Sequence, residues 1–133
     1  MKTAWFVDDD EEMVRVIAMM LKSLGYQVKT FTNARAMAKG LLDWGAPEIL
    51  IVDIMMPEVS GIDLLKFIRS RHEWDHVPVL MLSAAVSESQ VDEATASGAD
   101  GYVFKPVTLD ELEIVISMAK EKRDQKFSQK DIL

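Results

Sequence analysis

The sequence lacks cysteine, long apolar runs and flexible linkers. Without cysteine, the 133-residue chain offers no disulfide framework and no thiolate nucleophile or metal ligand. Its first residues reach an aspartate after only three large apolar residues, and no later run could span a bilayer. We therefore expect a cytoplasmic protein with no membrane partner. Because no stretch rich in proline, glycine and serine divides it, we also expect one compact domain.

The chain also lacks an excess of basic residues. Its formal net charge of -7 disfavours binding to a phosphate backbone, so no direct nucleic-acid partner is expected. The segment 120–133 is richer in lysine, which favours a solvated helix end because cations stabilise helix C-termini. We expect the domain to cover residues 1–120. Residues 121–133 would then form the end of the last helix and a tail, or the start of a linker.

Short apolar runs alternate with segments of helical period, which is typical of βα units around a parallel sheet. The predicted strands are 4–7, 27–31, 49–52, 77–82 and 101–104. Runs without alternation in the first, third and fourth predict strands covered on both faces. Helical spacing predicts helices at 13–24, 34–44 and 62–68, the second capped by Thr32 or Asn33. Two capping-box patterns, at 87–90 and 108–111, predict the starts of helices four and five.

Polar side chains follow four of these strands at their carboxyl ends, where ligands bind in open parallel sheets. Asp53 follows the third strand, Ser83 the fourth and Lys105 the fifth, and three consecutive aspartates, 8–10, follow the first. Crowded carboxylates repel one another, and a hard divalent cation offsets that repulsion. The pattern therefore predicts a Mg²⁺ site. We expect Asp10 to cap the first helix instead.

Asp53 emerges from a buried strand, so its carboxylate is a candidate nucleophile that could form an acyl phosphate. Lys105 and Ser83 suit the alignment and charge stabilisation that phosphoryl transfer requires. Simpler alternatives stay open for each residue. Asp53 could cap the following turn, Lys105 could be a surface lysine, and Ser83 could be a turn serine.

Four segments together carry a family resemblance. They are Val-Asp-Asp at 7–9, Asp-Ile-Met-Met-Pro-Glu-Val-Ser-Gly at 53–61, Leu-Ser-Ala at 82–84 and Gly-Tyr-Val-Phe-Lys-Pro at 101–106. In this order and spacing they resemble the receiver domains of two-component response regulators. The resemblance spans residues 3 to about 120. It implies a flavodoxin-like, doubly wound (βα)5 fold with a parallel sheet in the order 2-1-3-4-5.

The resemblance also implies roles for individual residues. Asp53 matches the phosphorylated aspartate. Asp9 matches the direct Mg²⁺ ligand, and Asp8 matches the acidic partner that reaches the ion through water. Met55 would supply a backbone carbonyl to the metal.

A second group of matching residues forms the switch. Ser83 matches the switch hydroxyl, and Lys105 the ion-pairing lysine, whose bond to Pro106 is typically cis. Tyr102 matches the aromatic residue that turns inward when the hydroxyl moves toward the phosphoryl group. The resemblance thus implies a signalling domain rather than an enzyme, phosphorylated by a histidine kinase or phosphotransfer protein. Its helix 4, strand 5 and helix 5 face would control an output domain or partner, or form a homodimer.

Two other functions compete with this interpretation. A degenerate receiver would serve only as a docking scaffold, but the set Asp8, Asp9, Asp53, Ser83 and Lys105 is intact. A phosphoaspartate hydrolase or a flavin carrier could use a similar sheet. The chain is too short for a hydrolase cap, and the acidic residues after the first strand have the wrong charge to hold a flavin phosphate.

Overall fold

The computed structural model describes residues 2–85 and 87–132, with side chains up to Phe127. In this part of the chain, five strands alternate with five α-helices. They are β1 (Thr3–Val7), α1 (Glu11–Ser23), β2 (Gln27–Phe31), α2 (Ala34–Trp44), β3 (Ile49–Asp53), α3 (Gly61–Arg69), β4 (Val79–Ser83), α4 (Glu88–Ala96), β5 (Gly101–Phe104) and α5 (Leu109–Ile132). A short 3-10 turn, His72–Trp74, precedes β4.

The five strands form one parallel sheet in the order β2-β1-β3-β4-β5. This order confirms the doubly wound α/β fold. Residues of β3 and β4 are buried at every position, and β1 is buried at all but its first. The unbroken apolar runs predicted this burial because helices cover both faces of the central strands.

The sheet separates two apolar layers. One contains the inward side chains of α1 and α5, including Ile17, Leu21, Leu112 and Ile116. The other contains those of α2, α3 and α4, with Met37, Leu41, Leu65, Ile68 and Ala94. Each fully buried leucine or isoleucine contributes about 1.5 to 3 kcal/mol relative to an exposed one, so the two layers supply the main stabilisation.

Side-chain caps begin the helices where the sequence predicts them. Asp10 accepts the backbone N–H groups of the first turn of α1, and Asn33, rather than Thr32, caps α2. The hydroxyls of Ser87 and Thr108 accept the N–H groups three residues later. Both predicted helix starts are therefore confirmed.

The predicted limits of the fourth strand are wrong at both ends. The strand begins at Val79 rather than Val77 and extends through Ser83. Val77 donates its N–H to the carbonyl of Trp74 in the preceding turn. Pro78 has no N–H to offer a neighbouring strand, so regular pairing starts after it.

Packing in α5 continues beyond residue 120. The Arg123 side chain is buried and ion-paired with Asp100. The helix itself runs to Ile132. Leu133 and the side chains of 128–132 lie outside the described residues, so the prediction of a solvated tail is not tested there. Among the described residues, no helix is both long and apolar enough to cross a membrane.

Candidate functional site

The register of β1 and β3 places two aspartates side by side. Val7 pairs with Val52, so the next residues, Asp8 and Asp53, follow on adjacent strands. Both are nearly inaccessible, at 1% and 2% exposure. Asp8 accepts the backbone N–H of Asp10, which holds its carboxylate at the sheet edge. The strand pairing thus produces the carboxylate cluster that the sequence predicts.

Lys105 reaches both buried carboxylates from the end of β5. Its Nζ lies 3.0 Å from Asp8 Oδ2 and 2.9 Å from Asp53 Oδ1. Burial lowers the pKa of Lys105, but these two contacts outweigh it and raise the pKa above the ordinary 10.5. The peptide bond from Lys105 to Pro106 is cis, as the resemblance implied. Lys105 is therefore a fixed cation inside the site rather than a surface lysine.

The carboxylate of Asp53 is not fully compensated. Lys105 Nζ lies 2.9 Å from its buried Oδ1, but the same ammonium also contacts Asp8, and the carboxylates of Asp8 and Asp9 lie close by. Burial raises the pKa of Asp53 from 3.8 to about 6, and Asp8 and Asp9 add to the increase while Lys105 opposes it. The ionised form at neutral pH consequently has unused capacity for a cation or a phosphoryl group.

The loop after β3 packs tightly against Asp53. The N–H of Gly61 donates to the carbonyl of Ile54, and a Cβ at position 61 would collide with the carbonyl oxygen of Asp53. Only glycine permits this close approach. Gly61 thereby fixes the backbone from which the Asp53 carboxylate projects.

The acidic group fits a divalent metal ion. Carboxylate oxygens of Asp8, Asp9 and Asp53 all lie within 4.8 Å of one another, and Asp9 is exposed. Three carboxylates face one ammonium, which leaves a formal excess of two negative charges. Oxygen ligands with one open, solvent-facing side match the preference of Mg²⁺. Both the donor set and the excess negative charge of the cluster thus suit this ion.

The hydroxyls of Ser83 and Tyr102 meet at Gln90, in the first turn of α4. Ser83 is fully buried at the end of β4, and its hydroxyl donates to Oε1 of Gln90 at 3.2 Å. Tyr102 is half-buried on β5, and its hydroxyl donates to the same oxygen at 2.8 Å. In a complete capping box the Gln90 side chain would return to the backbone N–H of Ser87. In the structure the hydroxyl of Ser87 accepts the backbone N–H of Gln90, but the Gln90 side chain bonds to Ser83 and Tyr102 instead.

Sequence reasoning missed Gln90 because two uses of a glutamine in a first helical turn are compatible with the same pattern. A side chain there can bond its own helix start or a neighbouring strand. The hydroxyls of Ser83 and Tyr102 determine which partner the Gln90 side chain bonds to, and the sheet sets the positions of these hydroxyls. The sequence signal for Gln90 was its position seven residues after Ser83, and that spacing does not distinguish the two uses.

These features define an α/β domain with a cation-ready carboxylate at its sheet edge, and the comparisons identify the family. The family model for the response regulator receiver domain matches residues 5–117, and the chain belongs to this family. It is a receiver domain of the two-component type, a phosphoacceptor signalling domain whose family uses Mg²⁺ at an acidic pocket.

Known proteins support this assignment. The chain is 36% identical over 121 residues to chemotaxis protein CheY-3 of Vibrio cholerae, covering 91% of this chain and 88% of the relative. It is 37% identical over 106 residues to the phosphate regulon transcriptional regulatory protein PhoB of Rhizobium meliloti, covering 80% of this chain and 46% of the relative. The structure of chemotaxis protein CheY4 of Vibrio cholerae superposes with a TM-score of 0.81 at 28% identity, over 90% of this chain and 98% of that one.

Proposed function

We propose that Asp53 is the phosphoacceptor of this receiver domain and that Mg²⁺ is required for its phosphorylation. The observation that supports this most directly is the buried Asp53 carboxylate at a strand end, 2.9 Å from the Lys105 ammonium and beside Asp8. A carboxylate so placed is a confined nucleophile with a fixed cation beside it. The simpler role as a turn cap does not account for this buried ion pair with Lys105.

The proposed reaction is a phosphoryl transfer from a phosphohistidine. A carboxylate oxygen of Asp53 forms a bond to phosphorus, and the bond from phosphorus to the imidazole nitrogen breaks. The electron pair of that bond stays on the imidazole. Lys105 neutralises negative charge beside the acceptor, and the Ser83 hydroxyl can donate to a phosphoryl oxygen.

Asp9, Asp8, Asp53 and the backbone carbonyl of Met55 are the proposed metal-binding groups. When bound, Mg²⁺ would offset the negative charge of the carboxylates and of the incoming phosphoryl group. Asp9 is the exposed carboxylate, and the oxygens of Asp8 already accept hydrogen bonds from Asp10 and Lys105. This difference supports Asp9 as the direct ligand and Asp8 as the one that acts through water.

The phosphoryl donor would be a histidine kinase or a phosphotransfer protein. The output would be a change in the α4, β5 and α5 surface that controls an attached domain, a separate partner or a homodimer. Tyr102 lies on this surface and bonds to Gln90 of α4. Two relatives illustrate the choice, since one is a chemotaxis protein and the other a transcriptional regulator. The cytoplasmic location and a domain limit near residue 120 stay predictions from the sequence.

The test is labelling with acetyl phosphate followed by intact mass spectrometry. Wild-type protein with Mg²⁺ should gain the mass of one phosphoryl group, and removal of Mg²⁺ with a chelator should prevent it. Asp53→Asn should abolish labelling, because an amide is not a nucleophile for phosphorus. Asp43→Asn is the matched control, since Asp43 is an exposed aspartate of α2 paired with Lys39, and it should label normally. Undiminished labelling of Asp53→Asn would refute the proposal.

A further inference from the structure

The side chain of Gln90 connects three parts of the domain. Gln90 stands in the first turn of α4, and its Oε1 accepts hydrogen bonds from Ser83 at the end of β4 and from Tyr102 on β5. Its Nε2 contacts the sulfur of Met55, two residues after Asp53, at 3.9 Å. A carboxamide oxygen has two lone pairs, so the two hydroxyls use its full capacity.

Proton counting limits what Ser83 can do in this arrangement. A serine hydroxyl has one proton to donate, and here Gln90 receives it. The Ser83 oxygen also accepts the backbone N–H of Ala85 at 3.1 Å. If Ser83 donates to a phosphoryl oxygen on Asp53, its bond to Gln90 must break. The Ser83 hydroxyl can therefore donate either to Gln90 or to a phosphoryl group on Asp53, but not to both.

We propose that Gln90 is a positioning residue that couples the Ser83 hydroxyl to the Tyr102 ring and to α4. This inference rests on the proposed function, because it requires a phosphoryl group on Asp53. In the unphosphorylated protein, Gln90 holds both hydroxyls at one oxygen. Once Ser83 turns to the phosphoryl group, Gln90 and the Tyr102 that is bonded to it lose their hydrogen bond to the end of β4. Their altered positions then change the surface formed by α4 and β5.

A purely structural role for Gln90 is the alternative. In that case its side chain would stabilise the start of α4, and substitutions would act only through stability. The observed cap does not use the side chain, since Ser87 accepts the backbone N–H of Gln90. Any side chain except proline keeps that cap. The two roles can thus be separated by a readout at Tyr102, which stability alone does not move.

The experiment compares Gln90→Met with Thr95→Met. Methionine matches the length of glutamine without its oxygen acceptor, and Thr95 is an exposed neutral residue of the same helix. In Gln90→Met the Ser83 proton is free for the phosphoryl group, so labelling by acetyl phosphate with Mg²⁺ should be about fivefold faster, the equivalent of one neutral hydrogen bond. In the unlabelled variant, the ring NMR signals of Tyr102 should move toward their positions in phosphorylated wild type. Thr95→Met should change neither.

A double-mutant cycle with Tyr102→Phe then tests the coupling itself. If Gln90 carries it, the effect of Tyr102→Phe on the labelling rate should disappear in the Gln90→Met background. Independent, multiplying effects would overturn the inference, as would equal or slower labelling of Gln90→Met while wild type labels normally. Failure of wild type to label would overturn the proposed function and this inference together, so the two failures are distinguishable.

Discussion

Buried carboxylates lie both where the strands end, called here the carboxyl edge of the sheet, and where they begin, called here the amino edge. The charges of the two groups are balanced differently. At the carboxyl edge, Asp8 and Asp53 share one cation, Lys105. At the amino edge, the single Asp100 binds two, with Arg69 Nη2 and Arg123 Nε each 2.9 Å from one of its oxygens. The first edge has an unmet demand for positive charge, whereas every oxygen of the second has a donor. The first arrangement suits a reaction site and the second a permanent attachment.

The amino-edge cluster is satisfied in further detail. The Asp100 carboxylate also accepts the backbone N–H of Val79, and the two guanidinium groups donate to the carbonyls of Trp74, Asp75 and Gly98. Burial and the neighbouring Arg123 lower the pKa of Arg69 to about 10, which still leaves it charged at neutral pH. The cluster therefore joins α3 and α5 to Asp100, the residue before β5, without needing a ligand.

The largest expected effect comes from breaking the amino-edge cluster. Arg123→Met leaves the buried Asp100 with Arg69 as its one cationic partner among the described residues, and removing one partner of a buried ion pair costs about 3 kcal/mol of unfolding free energy. Urea unfolding measures this loss. Its neighbour Lys122 is exposed, so Lys122→Met should change the free energy by less than about 0.5 kcal/mol. Equal effects of the two substitutions would show that the cluster does not fasten α5.

Removing a carboxylate from the other edge should have the opposite sign. Because burial raises the pKa of Asp53 to about 6, its ionised form destabilises the fold at pH 7, with Asp8, Asp9 and Lys105 facing it. Without Mg²⁺, Asp53→Asn should raise the free energy of unfolding by about 2 kcal/mol at pH 7. The wild-type penalty is complete above pH 6. The penalty falls as Asp53 of the folded state takes up a proton between about pH 6 and 4. The free energies of unfolding of wild type and Asp53→Asn should therefore converge near pH 4.

Urea unfolding of wild type and of Asp53→Asn between pH 4 and pH 7 measures this difference in free energy. Asp43→Asn again serves as the control, because its carboxylate is exposed. A destabilised Asp53→Asn at pH 7 would contradict the view that this edge has an excess of negative charge.

Metal affinity provides a third comparison, within the carboxyl edge itself. Asp9→Ala should weaken Mg²⁺ binding about tenfold and Asp8→Ala less, because a direct ligand contributes more than one acting through water. The fluorescence of Trp5, which precedes the acidic residues on β1, is a candidate reporter. Asp10→Ala removes only the cap of α1 and should leave the affinity unchanged. Equal losses for Asp8→Ala and Asp9→Ala would remove the distinction between these two roles.

The smallest expected effect concerns the lifetime of the acyl phosphate. Neither Met55 nor Ala85 can orient an attacking water by a hydrogen bond, and Met55 stands exposed beside the site. Met55→Asn combined with Ala85→Glu should speed self-dephosphorylation about two- to threefold at saturating Mg²⁺. Decay of the labelled mass over time measures the rate. Met19→Asn is the control, because Met19 is an exposed methionine on α1. No acceleration in the double variant would place control of the lifetime elsewhere.

The sequence predicts most of the carboxyl edge because chain order and strand direction suffice for it. Asp8, Asp53, Ser83 and Lys105 each follow an apolar run, and in a parallel sheet all such positions reach one edge. Helix starts at Asp10 and Ser87 are equally local, since each cap involves residues two or three positions away. The start of β4 was predicted less well. Pro78 and the preceding turn set it together.

The amino edge and Gln90 show what only the tertiary structure decides. Arg123 lies 23 residues after Asp100, in a segment whose composition favours a solvated helix end. It continues the spacing of the buried Leu112, Ile116 and Ala119 along α5, but the spacing does not reveal the carboxylate that a buried guanidinium there would need. Gln90 fits a local capping pattern, yet its side chain bonds two hydroxyls from different strands. Local sequence determines which residues form helices and strands and where their ends lie, because those interactions span a few residues. The partner that a long polar side chain selects depends on three-dimensional distances, which exist only after the layers have packed.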